Sequence, residues 1–259
     1  MDLGLRDKAA LVSGSTRGIG LAIAEELLAE GARVAVTGRD AARVREVSQN
    51  LGGKYGKDRV LGLPADFTAG DDVVLTVLRT AQQHFGGLDI VVANVGAGRG
   101  TPALEADVAE WERMLGLNLV SAAVTARHAA SFLPAAGGSI ILVGSIAGME
   151  ALRAPAAYIA AKAGVIALGK ALSRELATRQ IRVNVVSPGN ILHPGGSWER
   201  RMKEDPEGTT RYIETEVPLR RFGTDKEIAT AVAFLSSERA AGFITGANLV
   251  IDGGQTRGF

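Results

Sequence analysis

Short apolar runs alternate along the chain with longer stretches in which apolar residues recur every three to four positions. The first pattern predicts strands and the second predicts amphipathic helices. Apolar runs with so few polar interruptions are typical of parallel strands that are buried between two layers of helices. The predicted strands are Ala9–Ser13, Arg33–Thr37, Arg59–Pro64, Leu88–Asn94, Ser139–Val143, Arg182–Ser187 and Asn248–Ile251.

Helical patterns fill most of the intervals between these runs. They cover residues 70–85, 102–132, 155–178 and 225–235, and a further one lies between Gly20 and Gly31. Strands that alternate with helices from end to end predict an α/β fold, with a doubly wound, seven-stranded parallel sheet and helices on both faces. The sequence contains no linker, repeat or low-complexity segment, so we expect one domain over residues 1–259.

Residues 190–217 break this alternation. They show little apolar periodicity and many charges, and they follow the carboxyl end of a predicted strand. A long insertion at that place is typical of a lid that closes over a substrate. The alternative is a surface excursion without function.

The first predicted strand leads into a glycine-rich turn and then a helix. Glycine in such a turn lets the backbone approach a phosphate, and the helix N-terminus supplies free N–H groups and a positive dipole. Strand, turn and helix together form the first unit of a dinucleotide-binding (Rossmann) domain, although the glycine spacing differs from the usual G-x-G-x-x-G. The alternative is a glycine-rich loop without a ligand. The candidate cofactor residues are Gly14, Ser15, Thr16, Arg17, Gly18, Ile19 and Gly20.

The end of the second predicted strand indicates which nucleotide is bound. In NAD-binding folds an acidic residue there contacts the ribose 2′-OH, whereas an arginine suits a 2′-phosphate. Here Gly38 takes the acidic position and Arg39 follows it, while Asp40 has the place of a helix N-cap. Arg17, at the start of the first helix, adds a second cation. We therefore expect NADP(H) to be favoured over NAD(H); a register shifted by one residue would instead make Asp40 an NAD ligand.

Composition narrows the remaining function classes. The net charge of +1 gives no electrostatic case for binding nucleic acid or an anionic membrane. Three histidines and no cysteine leave no recognisable spacing for a zinc or iron–sulfur site, so no metal is expected. No apolar run reaches the length of a membrane span, and the N-terminus lacks the pattern of a signal peptide. A cytoplasmic location is expected.

Two residues on the predicted helix 155–178 suggest proton transfer. Tyr158 and Lys162 lie four positions apart, which places them on one face of a helix. A neighbouring lysine cation favours the phenolate and lowers the pKa of a tyrosine, and a phenol tuned in this way can exchange a proton with a substrate oxygen. The alternative is a pair that merely faces solvent. Ser145, at the end of the fifth predicted strand, supplies a hydroxyl at the same edge of the sheet.

Three further polar residues are candidates for binding or proton relay. Asn94 ends the fourth strand, where sheets of this type bind ligands, and Asp66 follows the third strand, where it is placed to meet an adenine amino group. The alternative for both is a simple turn former. Asn118 lies among apolar residues of a predicted helix, so its amide is expected to be buried and to need partners.

Taken in order, these residues resemble the short-chain dehydrogenase/reductase family over essentially the whole chain. The resemblance implies that Tyr158 is the general acid/base, that Ser145 holds the carbonyl oxygen, and that Lys162 binds the nicotinamide ribose and tunes Tyr158. It implies that Asn118 anchors a water in a proton relay. It also places Gly96, Pro188, Gly189 and Ile191 near the cofactor. The motifs that carry it are Gly14-x-x-x-Gly18-Ile19-Gly20, Asp66, Ala93-Asn94-Val95-Gly96, Asn118, Ser145, Tyr158-x-x-x-Lys162, Pro188-Gly189 and Asp252-Gly253-Gly254.

The resemblance also has departures. Where the family often has a threonine that touches the nicotinamide carboxamide, this chain has His193, either a substrate contact or a solvated loop residue. Phe222-Gly223 and the lid are similar to the 3-oxoacyl-acyl-carrier-protein-reductase-like branch, whereas enoyl reductases use a wider Tyr–Lys spacing. The implied function is oxidoreduction of a ketone or secondary alcohol by a cytoplasmic homotetramer. The alternatives are an NAD-dependent secondary-alcohol or sugar dehydrogenase, and a nucleotide-sensing protein without turnover.

Overall fold

The computed structural model describes residues 1–135 and 137–258. Seven of its strands form one parallel sheet in the order β3-β2-β1-β4-β5-β6-β9, which confirms the predicted fold class. The remaining two, β7 and β8, pair with each other beside the main sheet. The strands are β1 Ala9–Val12, β2 Arg33–Gly38, β3 Val60–Pro64, β4 Ile90–Ala93, β5 Ser139–Val143, β6 Arg182–Pro188, β7 Ile191–Leu192, β8 Gly223–Thr224 and β9 Asn248–Ile251.

Helices cover both faces of the sheet, because successive strand residues point to opposite sides. In β1, Ala10 and Val12 join the apolar core beneath α1, α2 and α9, while Ala9 and Leu11 join the core beneath α3, α5 and α6. Both cores consist of closely packed apolar side chains, which makes the sheet a rigid base. The helices are α1 Gly18–Ala29, α2 Ala41–Tyr55, α3 Asp71–Phe85, α4 Val108–Leu115, α5 Ser121–Phe132, α6 Ala156–Glu175, α7 Ser197–Glu204, α8 Pro206–Glu216, α9 Asp225–Ser236 and α10 Glu238–Ala241.

Side-chain caps fix where several helices begin. The carboxylate of Asp40 accepts hydrogen bonds from the N–H groups of Ala42 (2.9 Å) and Arg43 (3.1 Å), which confirms its predicted role as the N-cap of α2. Thr224 and Glu227 form a reciprocal capping box at the start of α9. These caps keep the ends of the strands and the starts of the helices in a defined register.

The helical stretch predicted over 102–132 is shorter and is not regular throughout. It begins at Val108 because Asp107 caps it, with Asp107 Oδ1 accepting from Glu110 N at 2.8 Å. Between α4 and α5 the backbone forms a π-helical turn, Gly116–Val120. Such a turn widens the helix locally and is frequent at functional sites. It places Asn118 in the interior, with no exposed surface.

The lid segment, residues 190–217, contains two helices that its lack of apolar periodicity did not indicate. Asp205 caps α8, and Pro206 follows at the first helical position. An aromatic cluster holds the two helices together: Trp198 of α7 stacks on Tyr212 of α8 at 5.3 Å and lies 5.4 Å from Phe222. A few large rings replace the apolar stripe that longer helices use.

The helix α6 is long and apolar enough to count as a membrane-crossing segment by length and composition alone. In the fold it packs against β6 and the turn that follows β5. Ala161 and Val165 are buried on that side. Its apolar character is therefore used in packing against the sheet.

Candidate active site

The predicted site residues meet at the carboxyl edge of the sheet. The connection after β1 leads to β2 on one side of the sheet, and the connection after β4 leads to β5 on the other side. A crevice opens between these two connections, and ligands bind at such crevices. The glycine-rich turn lies between β1 and α1. Asn94 follows β4, Ser145 follows β5, and Gly189 follows β6.

Asn94 holds the glycine-rich turn in place. Its Nδ2 donates to the carbonyl oxygens of Ser13 and Gly14, both at 3.0 Å, and its own N–H donates to Ser13 Oγ at 2.9 Å. A methyl group on Gly20 would lie 2.3 Å from Gly14 O, so only glycine permits this close return of the chain. The turn is therefore shaped before any ligand arrives.

Ser15 supports the turn from inside. Its buried hydroxyl donates to Val12 O at 2.7 Å and accepts from Thr37 N at 2.9 Å, and its N–H donates to Thr37 O. The polar groups of Ser15 are thus engaged within the fold. Ser15 therefore stabilises the conformation of the glycine-rich turn.

The start of α1 fits an anionic ligand. Within the described residues no side chain caps this helix end, and its first turn carries no acidic residue. The N–H groups of the first turn therefore have no helical partner, and the helix dipole favours a negative charge in front of them. Arg17, exposed at the N-cap position, adds a cation there, and Ile19 packs against the core behind it. A cofactor diphosphate matches these features.

An acidic side chain at the end of β2 would require Thr16 to move. A methyl group on Gly38 would lie 2.8 Å from Thr16 Cγ2. Arg39 is exposed beside it, and its charge acts on Asp66. Burial alone would raise the pKa of Asp66, but hydrogen bonds from Thr68 and the Arg39 charge outweigh it and hold that pKa below its usual value. The edge of the sheet is therefore cationic after β2, where Arg39 lies, and carries an ionised carboxylate after β3.

Ser145 is held against α6 by a short 3₁₀ turn, Ile146–Gly148. Its Oγ accepts from Ala147 N at 3.1 Å, which leaves the hydroxyl proton free to be donated. A methyl group on Gly148 would lie 2.5 Å from the carbonyl carbon of Lys162, so the turn touches the α6 backbone directly. This contact brings Ser145 to the face of α6 that carries Tyr158 and Lys162.

Lys162 is almost fully buried, with 4% of its surface exposed. Its Nζ donates to Val143 O at 2.8 Å and lies 5.9 Å from the centre of the Tyr158 ring. Burial lowers the pKa of Lys162 to about 8. The ammonium therefore remains mostly protonated at neutral pH, close to the phenol.

The electrostatics of Tyr158 differ from the expectation for an isolated tyrosine–lysine pair. Burial raises the pKa of Tyr158, and the neighbouring Ser145 hydroxyl lowers it only in part. The expected lowering by Lys162 is not found, because loss of hydration dominates for a phenolate in this half-buried position. Tyr158 is therefore protonated at neutral pH.

Asn118 braces the loop that follows β4. Its Oδ1 accepts from Ala97 N at 2.8 Å, while Nδ2 donates to Ala97 O at 3.1 Å and to Met114 O at 3.0 Å. Asn118 Oδ1 and Lys162 Nζ both approach Gly96, where a methyl group would lie 2.8 and 3.2 Å from them. Both side chains therefore border the backbone at Gly96.

The segment after β6 closes the crevice from the other side. Pro188 is buried, and Gly189 N donates to Ile251 O at 2.9 Å. The side chain of Ile191 is buried in the core, so only its backbone is available to a ligand. The imidazole of His193 lies over the start of α1, since a methyl group on Gly18 would be 2.8 Å from its Cε1. His193 is therefore beside the cofactor turn, a position that neither sequence interpretation proposed.

The chain is similar to proteins of known family and fold. A family model described as "Enoyl-(Acyl carrier protein) reductase" matches residues 14–256. A 3-oxoacyl-[acyl-carrier-protein] reductase of Haemophilus influenzae is 38% identical over 251 residues, 96% of this chain and 98% of the relative. The chain belongs to the short-chain dehydrogenase/reductase family. Another relative, 2-(S)-hydroxypropyl-CoM dehydrogenase 3 of Xanthobacter autotrophicus, is 34% identical over 256 residues. The alignment includes 97% of this chain and 98% of that relative.

Solved structures of short-chain dehydrogenases/reductases have the same fold. L-sorbose reductase from Gluconobacter frateurii, complexed with NADPH and L-sorbose, superposes with a TM-score of 0.91 at 32% identity over the full length of both chains. A short-chain dehydrogenase from Burkholderia cenocepacia in complex with NADP gives a TM-score of 0.87 at 31% identity, covering 97% of this chain and 98% of that one. These neighbours hold NADP(H), and the relatives include dehydrogenases and reductases.

For this family member, sequence patterns missed some residues that shape the site. Gly148 carries no motif by itself, and its importance appears only in the contact with α6. The aromatic cluster of the lid, Trp198, Tyr212 and Phe222, is spread over 25 residues with no regular spacing. Gln255 lies beyond the last recognisable motif, and its burial at 6% exposure is the signal that identifies it.

A metal site is not apparent in the described part of the chain. Over residues 1–135 and 137–258, no three His, Cys, Asp or Glu side chains are grouped to hold an ion. The polar groups at the carboxyl edge are hydroxyls, amides, cations and the separate carboxylate of Asp66.

Proposed function

We propose that this protein is an NADP(H)-dependent oxidoreductase that interconverts a small ketone and a secondary alcohol, with Tyr158 as general acid/base. The observation that carries the proposal is the convergence of Ser145, Tyr158 and Lys162 on one face of α6, beside a turn suited to a dinucleotide phosphate. A protein that only senses nucleotides would need no proton donor beside that turn.

When bound, NADPH supplies the hydride that reduces the carbonyl carbon. Ser145 donates its free proton in a hydrogen bond to the carbonyl oxygen and orients it. Tyr158, protonated at neutral pH, transfers its phenolic proton to that oxygen as the C=O group becomes CH–OH. Lys162 stabilises the resulting phenolate by its charge. Asn118, next to the Lys162 amine, is proposed as the anchor of a water that returns a proton from solvent.

The cofactor site is proposed to hold its ligand through four groups of residues. Gly14, Gly18 and Gly20 admit the diphosphate to the helix N-terminus, and Ser15, Ile19 and Asn94 shape that turn. Thr16, Arg17 and Arg39 surround the 2′-phosphate, and Asp66 meets the adenine. Gly96, Pro188, Gly189 and the backbone of Ile191 line the nicotinamide side together with Tyr158 and Lys162.

The preference for NADP(H) rests on Gly38 and the two exposed arginines. Arg39→Ala should weaken NADPH binding by about 10-fold or more, since hydrogen bonds to charged groups contribute about 1.5–3 kcal/mol, and should leave NADH binding nearly unchanged. Arg45→Ala, an exposed arginine on α2, is the matched control. Nucleotide fluorescence titrations provide the measurement. Tighter binding of NADH than of NADPH by the parent would contradict the assignment.

The acid/base assignment is tested with Tyr158→Phe. The variant should lose about 10²- to 10⁴-fold in turnover because it has no proton to transfer, and it should still bind NADPH. Tyr55→Phe, on α2, is the matched control and should keep full activity. NADPH oxidation over β-ketoacyl thioesters, quinones, simple ketones and keto-sugars identifies the substrate class. Unchanged turnover of Tyr158→Phe on any substrate found would refute the mechanism.

We also propose that the protein is a cytoplasmic homotetramer. Large apolar side chains are exposed before and along α4 and in the following π-helical turn (Leu104, Val108 and Val120), and Leu249 is exposed on β9, the edge strand of the sheet. Exposed apolar groups of this kind are typical of protein interfaces. Sedimentation equilibrium measures the mass directly, and a monomer at micromolar concentration would contradict the proposal.

A further inference from the structure

The chain continues past β9 and crosses between the lid segment and the loop that follows Ser145. A turn begins at Asp252, whose carboxylate accepts hydrogen bonds from Thr256 N at 2.7 Å and Thr256 Oγ1 at 2.8 Å. Residues 255–258, which we call the C-terminal strap, follow this turn. The strap forms hydrogen bonds with both the lid segment and the loop that follows Ser145.

One buried amide in the strap joins two parts of the lid. Gln255 is 6% exposed. Its Oε1 accepts from Asn190 Nδ2 at 2.7 Å, and its Nε2 donates to Tyr212 Oη at 3.2 Å. Asn190 begins the lid segment, and Tyr212 lies on its second helix. The root and the far helix of the lid are thus held by the same side chain.

Tyr212 passes this constraint to the rest of the lid. Its ring stacks on Trp198 of α7 with an angle of 23° between the planes, and Trp198 also packs on Phe222 beyond the end of α8. Because the rings interlock, α7 and α8 follow the position of Tyr212. Gln255 therefore holds the lid as one body.

The other end of the strap is bonded to the loop that carries the Ser145 hydroxyl. Glu150 Oε1 accepts from the N–H groups of Arg257 and of Gly258, the latter at 3.0 Å. Glu150 N in turn donates to Ile146 O at 3.1 Å, inside the 3₁₀ turn that begins after Ser145. The strap consequently links the lid to the proton-donating side of the cleft.

We propose that Gln255 is a positioning residue that, through the strap, sets the distance between the lid and Ser145 and so determines substrate affinity. The proposal rests on the proposed carbonyl reduction, because it assigns the cleft to that substrate. A lid released from Gln255 samples open positions, and substrate must then order it on binding. The reacting groups lie on α6 and at the start of the turn after β5, whereas the Gln255 side chain bonds to Asn190 and Tyr212. Loss of those two bonds therefore acts on the lid side of the strap.

The experiment uses Gln255→Met, which keeps the length of the side chain and removes both hydrogen bonds. All variants carry Trp111→Phe, so that Trp198 is the single tryptophan, and its emission is excited selectively above the tyrosine absorption band. We expect stronger acrylamide quenching of Trp198 and faster trypsin cleavage within α7 than in the parent. Gln49→Met, the same change at an exposed position of α2, should match the parent in both measurements.

Separate values of KM and kcat distinguish a positioning role of Gln255 from a merely structural one. If the closed lid is populated only about one-tenth of the time in Gln255→Met, KM should rise about tenfold while kcat at saturation stays within about twofold. Tyr212→Phe removes only the hydroxyl partner of Gln255 and keeps the stacked ring. It should shift KM in the same direction by a smaller factor, and it replaces Gln255→Met should that variant not fold.

Two results would overturn the proposal. One is quenching and cleavage of Gln255→Met equal to those of Gln49→Met. The other is a fall in kcat with KM unchanged, which would place the effect on the chemical step. Quenching and proteolysis need no substrate, so a parent protein without carbonyl reductase activity would refute the proposed function while the lid measurements still decide the role of Gln255.

Discussion

Replacement of Asn118 by alanine removes the brace of the loop that follows β4. The variant loses three hydrogen bonds of 2.8 to 3.1 Å to the backbone of Ala97 and Met114, in a place with no access to water. At about 1 kcal/mol for each bond, the free energy of unfolding should fall by about 3 kcal/mol. In a chain of this length that corresponds to a melting temperature lower by about 6–12 °C. Turnover should fall as well, because the loop that loses its brace contains Gly96, and Gly96 lies beside the Lys162 amine.

Urea unfolding at one fixed protein concentration measures the stability, and NADPH oxidation measures the activity. Asn184→Ala is the matched control. That side chain is equally buried and bonds to Ile244 O (2.8 Å) and Ala247 N (3.0 Å) before β9, away from the reacting groups. It should lose about 2 kcal/mol of stability and keep its kcat. An Asn118→Ala protein with parental stability would refute the role of the three bonds, and equal loss of kcat in both variants would refute the link to the site.

Three further predictions concern charge and protonation. Burial lowers the pKa of Lys162 from 10.5 to about 8. Between these pH values the folded protein therefore binds fewer protons than the unfolded chain. Below pH 8 the buried charge lowers the free energy of unfolding by roughly 3 kcal/mol, and this penalty disappears toward pH 10.5. Urea unfolding should show the parent gaining stability over Lys162→Met as pH rises through that window; a difference independent of pH would contradict this. Because Ser145 lowers the pKa of Tyr158, Ser145→Ala should move the pH-dependent rise of alcohol oxidation to higher pH, and a rise at the parental pH would argue against contact between the two hydroxyls. Arg182, 5% exposed, donates to the last carbonyls of α9 at 2.6 and 3.1 Å; Arg182→Met should lose about 3 kcal/mol of stability by thermal or urea unfolding, and an unchanged midpoint would show these bonds to be without net effect.

Patterns that depend on neighbours in the sequence were predicted well. The bounds of β5 and β9 agree with the structure at both ends, because each is a short apolar run between polar or glycine residues. Asp40 was assigned as a cap from its place between strand and helix, and its hydrogen bonds confirm it. The order of these elements was enough to place Ser145 and Tyr158 at one edge of the sheet.

Features that depend on contacts across the chain were not accessible in this way. The helices of the lid are held by rings and a cap rather than by an apolar stripe, so their sequence lacks a period. The raised pKa of Tyr158 follows from burial. The four-residue spacing of Tyr158 and Lys162 gives no information on how deeply the phenol is buried. The place of His193 over α1 depends on how the chain turns after β6, and spacing alone gave no sign of it.

The hydrogen bonds from Asn94 to Ser13 and Gly14 span 81 and 80 residues of chain. During synthesis the glycine-rich turn emerges early, but the residue that fixes it follows only after β2, β3 and three helices have been made. The earlier segment is therefore completed by one that is synthesised much later, since β1 lies between β2 and β4 in the sheet. A nascent chain ending before β4 would expose an unpaired edge of β1 and an unfixed nucleotide turn. In this protein the nucleotide pocket is thus an outcome of assembling the middle of the sheet, although its residues stand near the start of the chain.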